Sequence, residues 1–217
     1  MFSQQTIQLA LGKEYFWLAT RLTVAFVGNV DPQFQQKVKN NISDWTPFAG
    51  IQFDLVPHLP ADIRIELVDD GQNWSQYGTD ATKVDPNQAT VHFGTINQYS
   101  ADDEIYRVAV HEFGHALGAL HEHQSPTAAG IDWNTAIVND YYHKLGWTDA
   151  MIQANIYATF PPDAAYCTRF DPSSIMIYDF PANFTTNQLT VKPNFVLSAL
   201  DKSGMKTLYD QARSGKM

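Results

Sequence analysis

The stretch HEFGHALGALHEH, residues 111–123, holds four of the chain's seven histidines. A helix turns about 100° per residue. His111 and His115 therefore project from one face, within about 40° of each other. Tyr106, Val110, Phe113 and Leu117 gather on the opposite face, so the helix has an apolar side to bury and a histidine side turned away from it. Two imidazoles at that spacing can hold one zinc ion through nitrogen. His121 cannot join them on a continuous helix, where it would lie roughly 9 Å further along and about 240° round from His115. Gly118 lifts that restriction, because glycine can take a left-handed conformation, end the helix and let the chain fold back. The spacing predicts His111, His115 and His121 around one Zn2+ ion, with a fourth position open for water. Glu112, about 100° round from His111, is placed to take a proton from that water and pass it to a leaving group. The run fixes five positions, and its chance occurrence in such a chain is on the order of one in ten thousand or less. The remaining alternative is a degenerate or purely structural metal site.

Working outward, the helix should begin near Ser100. Ser100 with Asp103 has capping-box spacing, and Asp102, Asp103 and Glu104 suit the positive end of the helix dipole. Upstream, RLTVAFVG (21–28) reads as a strand. In DPQFQQKVKNNISDW (31–45), Asp31 caps, Pro32 takes the first helical position, and Phe34, Val38, Ile42 and Trp45 recur at helical spacing. GIQFDLV (50–56) and DIRIEL (62–67) alternate like strands with one buried face, and ATVHFG (89–94) is a further short strand. This β-α-β-β-β order places a helix on a mixed sheet. Downstream, HEHQSPTAAG (121–130) is loop, 134–145 and 148–157 are helical, and 160–195 is mostly irregular. The segment 197–212 closes the chain as an amphipathic helix, with Ser198 as cap and Met205, Leu208 and Tyr209 facing inward.

The totals narrow the field. Of the 217 residues, 44% are hydrophobic and 17% charged, which supports a packed core and argues against disorder. A net charge of −9 speaks against a nucleic-acid partner, since neutralising phosphates needs a basic surface. The single cysteine, Cys167, rules out an internal disulfide and a cysteine-rich zinc cluster, and reads as a small core residue. No apolar run approaches the roughly 18 residues needed to cross a bilayer. The start, MFSQQTIQLALGKEYFW, lacks a basic segment followed by a long apolar one. The sequons at Asn41, Asn73 and Asn183 carry no weight, and DDG at 69–71 reads as a turn.

With these residues in view, HEFGHALGALH resembles the metzincin signature of zinc endopeptidases, H-E-x-x-H-x-x-G-x-x-H. SSIMIYDF (173–180) is similar to the family's Met-turn, which implies Met176 as an apolar floor beneath the zinc. Tyr178, two residues on, resembles the tyrosine of astacins and serralysins that ligates zinc at rest and stabilises the oxyanion when substrate binds. Glu122 after the third histidine also resembles astacins. The continuation differs from theirs, with His123 in place of glutamine, and the astacin cysteines are missing. The resemblance is therefore to an astacin-like, cysteine-poor branch of the metzincins. It implies an α/β (α+β) fold with an N-terminal lobe (1–121) holding a twisted mixed sheet and two main helices. The C-terminal lobe (122–217) is mostly irregular and ends in a helix, and the two lobes form a single catalytic domain. ATVHFG is implied as the edge strand above the cleft, along which extended substrate would pair. His92 on it lies either near the cleft or pointing elsewhere. His123 reads as a loop residue outside the ligand set.

The expected function is zinc-dependent endopeptidase, with Glu112 as general base and with zinc and Tyr178 stabilising the oxyanion. A monomer that acts on protein or peptide substrates, spans no membrane and works outside the cell is expected. Two alternatives stay open: a catalytically inactive metal-binding effector or binding module on the same fold, and a zinc amide hydrolase with a non-peptide substrate.

Overall fold

The computed structural model describes residues 11–12, 14–128, 130–161, 165–166 and 169–215. Cys167 lies outside them. After a two-residue strand, β1 (Leu11–Gly12), the chain enters β2 (Arg21–Phe26), where Leu22, Val24, Ala25 and Phe26 are buried. Helix α1 (Pro32–Ile42) follows, capped as its sequence predicts: the Asp31 carboxylate accepts from Phe34 N at 2.8 Å, with proline in the first turn. Phe34, Val38, Ile42 and Trp45 are all buried. The α-helix nevertheless stops at Ile42 instead of running to Trp45. Ser43 Oγ donates back to Lys39 O at 2.6 Å, and the next turn tightens to a 3₁₀ geometry over Ser43–Trp45 before a short α2 (Thr46–Ala49).

Strands β3 (Gln52–Leu55), β4 (Ile63–Leu67), β5 (Asn73–Ser75) and β6 (Val91–Phe93) complete a five-stranded sheet in the order β3-β2-β4-β6-β5. The first four are mutually parallel, and β5 runs antiparallel to β6. Two expectations change here. The alternation around β4 predicts one buried face, yet Ile63, Arg64 and Ile65 are all buried, because a central parallel strand is covered on both sides. Arg64 is tolerated there by donating to the carbonyls of Gln88, Ala61 and Ala81 at 2.6, 3.0 and 3.1 Å. The strand in ATVHFG, β6, is interior, and the edge belongs to β5. Three residues, two of them polar, gave no strand pattern, and the antiparallel turn back was invisible locally.

Helix α3 (Asp102–Ala116) packs across the sheet's inner face, where Phe113 meets Phe53 edge to face at 5.4 Å. The expected capping box at its start does not form. Ala101 is the cap residue, Ser100 Oγ accepts from Asn97 N instead, and Asp103 accepts from Glu104 N. Beyond α3 come α4 (Thr135–Lys144) and α5 (Asp149–Ile152). The helix expected over 148–157 widens into a π turn at Gln153–Tyr157, with Ala158 N reaching Gln153 O. A short β7 (Ala165–Tyr166) pairs with β1, and the described residues from 169 to 195 are otherwise mostly irregular. Helix α6 (Ala199–Arg213) closes the fold. Ser198 and Asp201 form its capping box, and Met205, Leu208 and Tyr209 are fully buried. Among the described residues, no helix is long and apolar enough to cross a membrane.

Candidate metal centre

Helix α3 presents His111, Glu112 and His115 at its C-terminal end. The break after it has the geometry that the glycine allows. Gly118 sits at φ +92°, Gly118 N bonds His115 O at 2.7 Å, and Ala119 N bonds Gly114 O at 2.8 Å. The chain turns back, and His121 Nε2 comes to lie 3.1 Å from His115 Nε2. One ring nitrogen from each of His111, His115 and His121 falls within 4.8 Å of the others.

The other ring nitrogens explain why these rings can bind a metal. Nδ1 of His111 donates to Ile175 O at 2.7 Å, and Nδ1 of His115 donates to Ala119 O at 2.7 Å. Nδ1 of His121 faces Gln124 Oε1 at 3.3 Å. Oxygens that only accept fix the proton on Nδ1, so the Nε2 atoms carry lone pairs. Two such lone pairs 3.1 Å apart repel unless a cation lies between them. Burial pushes the His111 and His115 pKa values down to about 4 and about 3, and His121 well below its ordinary value. Neutral imidazole is the ligating form, so the donor set fits one zinc-sized cation.

Glu112 is buried beside this cluster, and its Oε2 has no hydrogen-bond partner among the described residues. Burial raises its pKa to about 8, against the pull of Arg107. Met176 is fully buried beneath α3, and a Cβ placed on Gly114 would collide with its sulfur. That contact is why residue 114, immediately before His115, carries no side chain. The Tyr178 ring lies 4.3 Å from the His121 ring and 6.2 Å from that of His111, centroid to centroid. Burial, then the Glu112 charge, raises its pKa. His123 sits outside the triad. Its Nε2 donates to Asn155 O at 2.9 Å, and its ring stacks on Tyr178.

Several contacts that support the cluster are not legible in the sequence. Asp201 accepts from Ser174 Oγ (2.6 Å), Ile175 N (2.9 Å) and Ser198 N (2.9 Å), holding the residue whose carbonyl orients His111. Its capping-box spacing was readable, but its reach to residues 174–175 was not. Glu122 Oε1 accepts from Asp171 N, and Glu122 N donates to Met176 O, so the segment after the third histidine is tied to the same turn. Tyr77 stands edge-on to His115 at 5.2 Å. A cleft of about 850 Å³ opens over the cluster. Gln72 and Asn73 line it on the sheet side, His111 and Glu112 at the floor, and Tyr142, Trp147 and Phe184 opposite. His92 is not among its lining residues and points into the other face of the sheet.

A matrixin peptidase family profile matches residues 17–157. Among solved structures, one of myroilysin is 33% identical, with 92% of this chain and 98% of that chain covered and a TM-score of 0.87. A second, a crystal structure of myroilysin, is 32% identical over 91% of this chain and 86% of that one, at TM-score 0.68. High choriolytic enzyme 1, a hatching-enzyme zinc protease from the medaka fish Oryzias latipes, is 16% identical. It covers 90% of this chain and 94% of its own at TM-score 0.59, a likeness of fold. No curated protein sequence matches at comparable significance.

Proposed function

The chain belongs to the matrixin family of metzincin zinc metalloendopeptidases, and from that premise we propose that it cuts extended polypeptide at the cluster under the sheet edge. His111, His115 and His121 hold the zinc. Bound there, zinc supplies Lewis acidity that polarises a peptide carbonyl and brings the pKa of water towards about 7. Glu112, buried with its Oε2 free of partners among the described residues, takes the proton of the attacking water and delivers it to the leaving amine. The Tyr178 phenol, against the His121 ring, donates a hydrogen bond to the oxyanion as it develops. Strand β5 is the last strand of the sheet and its Asn73 lines the cleft, so an extended substrate adds to that edge and is held by backbone hydrogen bonds. Such a groove favours a polypeptide over a small amide.

Glu122 directly after the third histidine, with Tyr178 two residues after Met176, supports an astacin-like placement within the metzincins. The sheet-side core includes Ile175, Met176, Leu197 and residues of α6, which supports one catalytic domain over residues 1–217. We further propose that the enzyme works as a secreted monomer without a nucleic-acid partner.

The observation that carries this reading is the convergence of three imidazoles, each fixed through Nδ1, beside a buried carboxylate whose Oε2 has no partner among the described residues. The test is cleavage of denatured casein by wild type and Glu112→Gln, with zinc content measured on both. Turnover should fall by about 10²–10⁴-fold while zinc stays bound. A chelator should stop the wild type, and added zinc should restore it. Wild-type turnover by Glu112→Gln would sink the mechanism, and indifference to chelation would sink the metal's role.

A further inference from the structure

On the sheet face turned away from α3, His92 of β6 is buried at 4% exposure between two carboxylates. Its Nδ1 lies 2.8 Å from Glu66 Oε1 on β4, and its Nε2 lies 3.1 Å from Asp70 Oδ1 in the turn before β5. Its ring stacks on Trp74 of β5 at 5.2 Å and 7°. A neutral imidazole has one N–H and an ionised carboxylate only accepts, so both contacts are hydrogen bonds only when the ring is protonated on both nitrogens. The Asp70 turn is seated closely. Gly71 N bonds Gly94 O at 2.9 Å, and a Cβ on Gly94 would strike the Asp70 carboxylate and the Gln72 backbone. The same turn, with Gln72 and Asn73, forms the sheet-side rim of the cleft.

We propose that His92, as an imidazolium clamped between Glu66 and Asp70, is a positioning residue that holds the rim of the cleft in register for an extended substrate, and that losing its proton loosens the rim. This rests on the peptidase reading above. Burial pulls the His92 pKa down, but the hydrogen bonds and charges of Glu66 and Asp70 outweigh it and leave the value raised. Asp70 is lowered in turn by its bond to Gln72 N and by His92. Arg64, two residues before Glu66 on β4, has its guanidinium engaged by backbone carbonyls. β5 contributes only Trp74. A raised folded pKa means that the clamp is complete below the ordinary histidine value and fades as pH rises through the folded one.

Two arms test this on the zinc-loaded protein. The first needs no turnover: ring-nitrogen NMR follows His92, and hydrogen exchange follows amides 70–75. His92 should titrate above about 6.5, Asp70→Asn should lower the midpoint by roughly one unit, and rim protection should fall with it. A midpoint at or below about 6.5, or rim exchange that ignores it, overturns the proposal. In the second arm, kcat and KM on an extended peptide are measured from about pH 5.5 to about pH 9. Above the midpoint KM should rise roughly three- to tenfold, with the kcat profiles of wild type and His92→Gln agreeing within about twofold. Asp70→Asn should move the rise to lower pH, and His92→Gln should be flat at the high value. If His92→Gln keeps the wild-type KM profile, the clamp does not position substrate. If His92→Gln does not fold, the Asp70→Asn shift decides. If no peptide is cut, the peptidase reading fails and the first arm still decides the clamp.

Discussion

The sheet-bearing part and the stretch between His121 and α6 hold their shapes by different means. In the first, Val24, Ile63, Ile65, Val91 and Phe93 meet Phe34, Val38, Trp45 and Phe113 in one apolar cluster, and ladder hydrogen bonds satisfy the backbone. In the second, the buried set is small: Val138, Ile152, Ile156, Ile177, Phe180, Phe184 and Val191, hulled by half-buried aromatics such as Trp133, Tyr142 and Tyr157. Its backbone has few ladders, so side chains do that work. Gln124 Nε2 donates to Ala154 O at 2.7 Å, Asn187 Nδ2 to Gly130 O at 2.6 Å, and Asn194 Nδ2 to Ser174 O at 2.9 Å. Apolar burial sets the first region and side-chain-to-backbone pairing the second. The two join where Ile175 and Met176, from the irregular stretch, enter the sheet-side core. The metal cluster sits at that join.

The contrast can be broken in three places. Trp45→Ala should be the most damaging. It empties a fully buried indole site and removes the bond from Nε1 to Val110 O at 2.9 Å, costing about 3–5 kcal/mol by denaturant unfolding. A loss under about 1 kcal/mol would mean that the core is not the continuous one described. Asp201→Asn comes next, at about 2–4 kcal/mol, because an amide cannot accept all three bonds that the carboxylate takes. It should also weaken zinc affinity about 10- to 100-fold in a competitive titration, through Ile175 O and His111. Lower stability with unchanged affinity would show that the join does not support the metal ligands. Tyr157→Phe should be mildest, removing one bond to Asn139 Oδ1 for about 0.5–1.5 kcal/mol of thermal stability. A larger loss would mean that the second region depends on single polar contacts more than its apolar cluster suggests.

Short-range signals are legible in the sequence when no neighbour competes for the same group. The Asp31 and Ser198 caps involve neighbours within three residues, and both form. The Ser100 cap had the same kind of spacing and failed, because the Ser100 hydroxyl is taken by Asn97 N. β5 was missed for a different reason. Its three residues are a strand only because β6 is there to pair with them, so no pattern within the segment marks it.

By itself, the sequence determined that His111 and His115 share a helix face and that the chain leaves the helix by Gly118, because a 3.6-residue period and a left-handed glycine are properties of the few residues involved. Tertiary structure alone decided which strand borders the cleft, that the carbonyl 64 residues away at Ile175 orients His111, and that His92 faces two acids instead of the cleft. Those partners meet because packing of the whole chain brings them together, and no local interval encodes that sum.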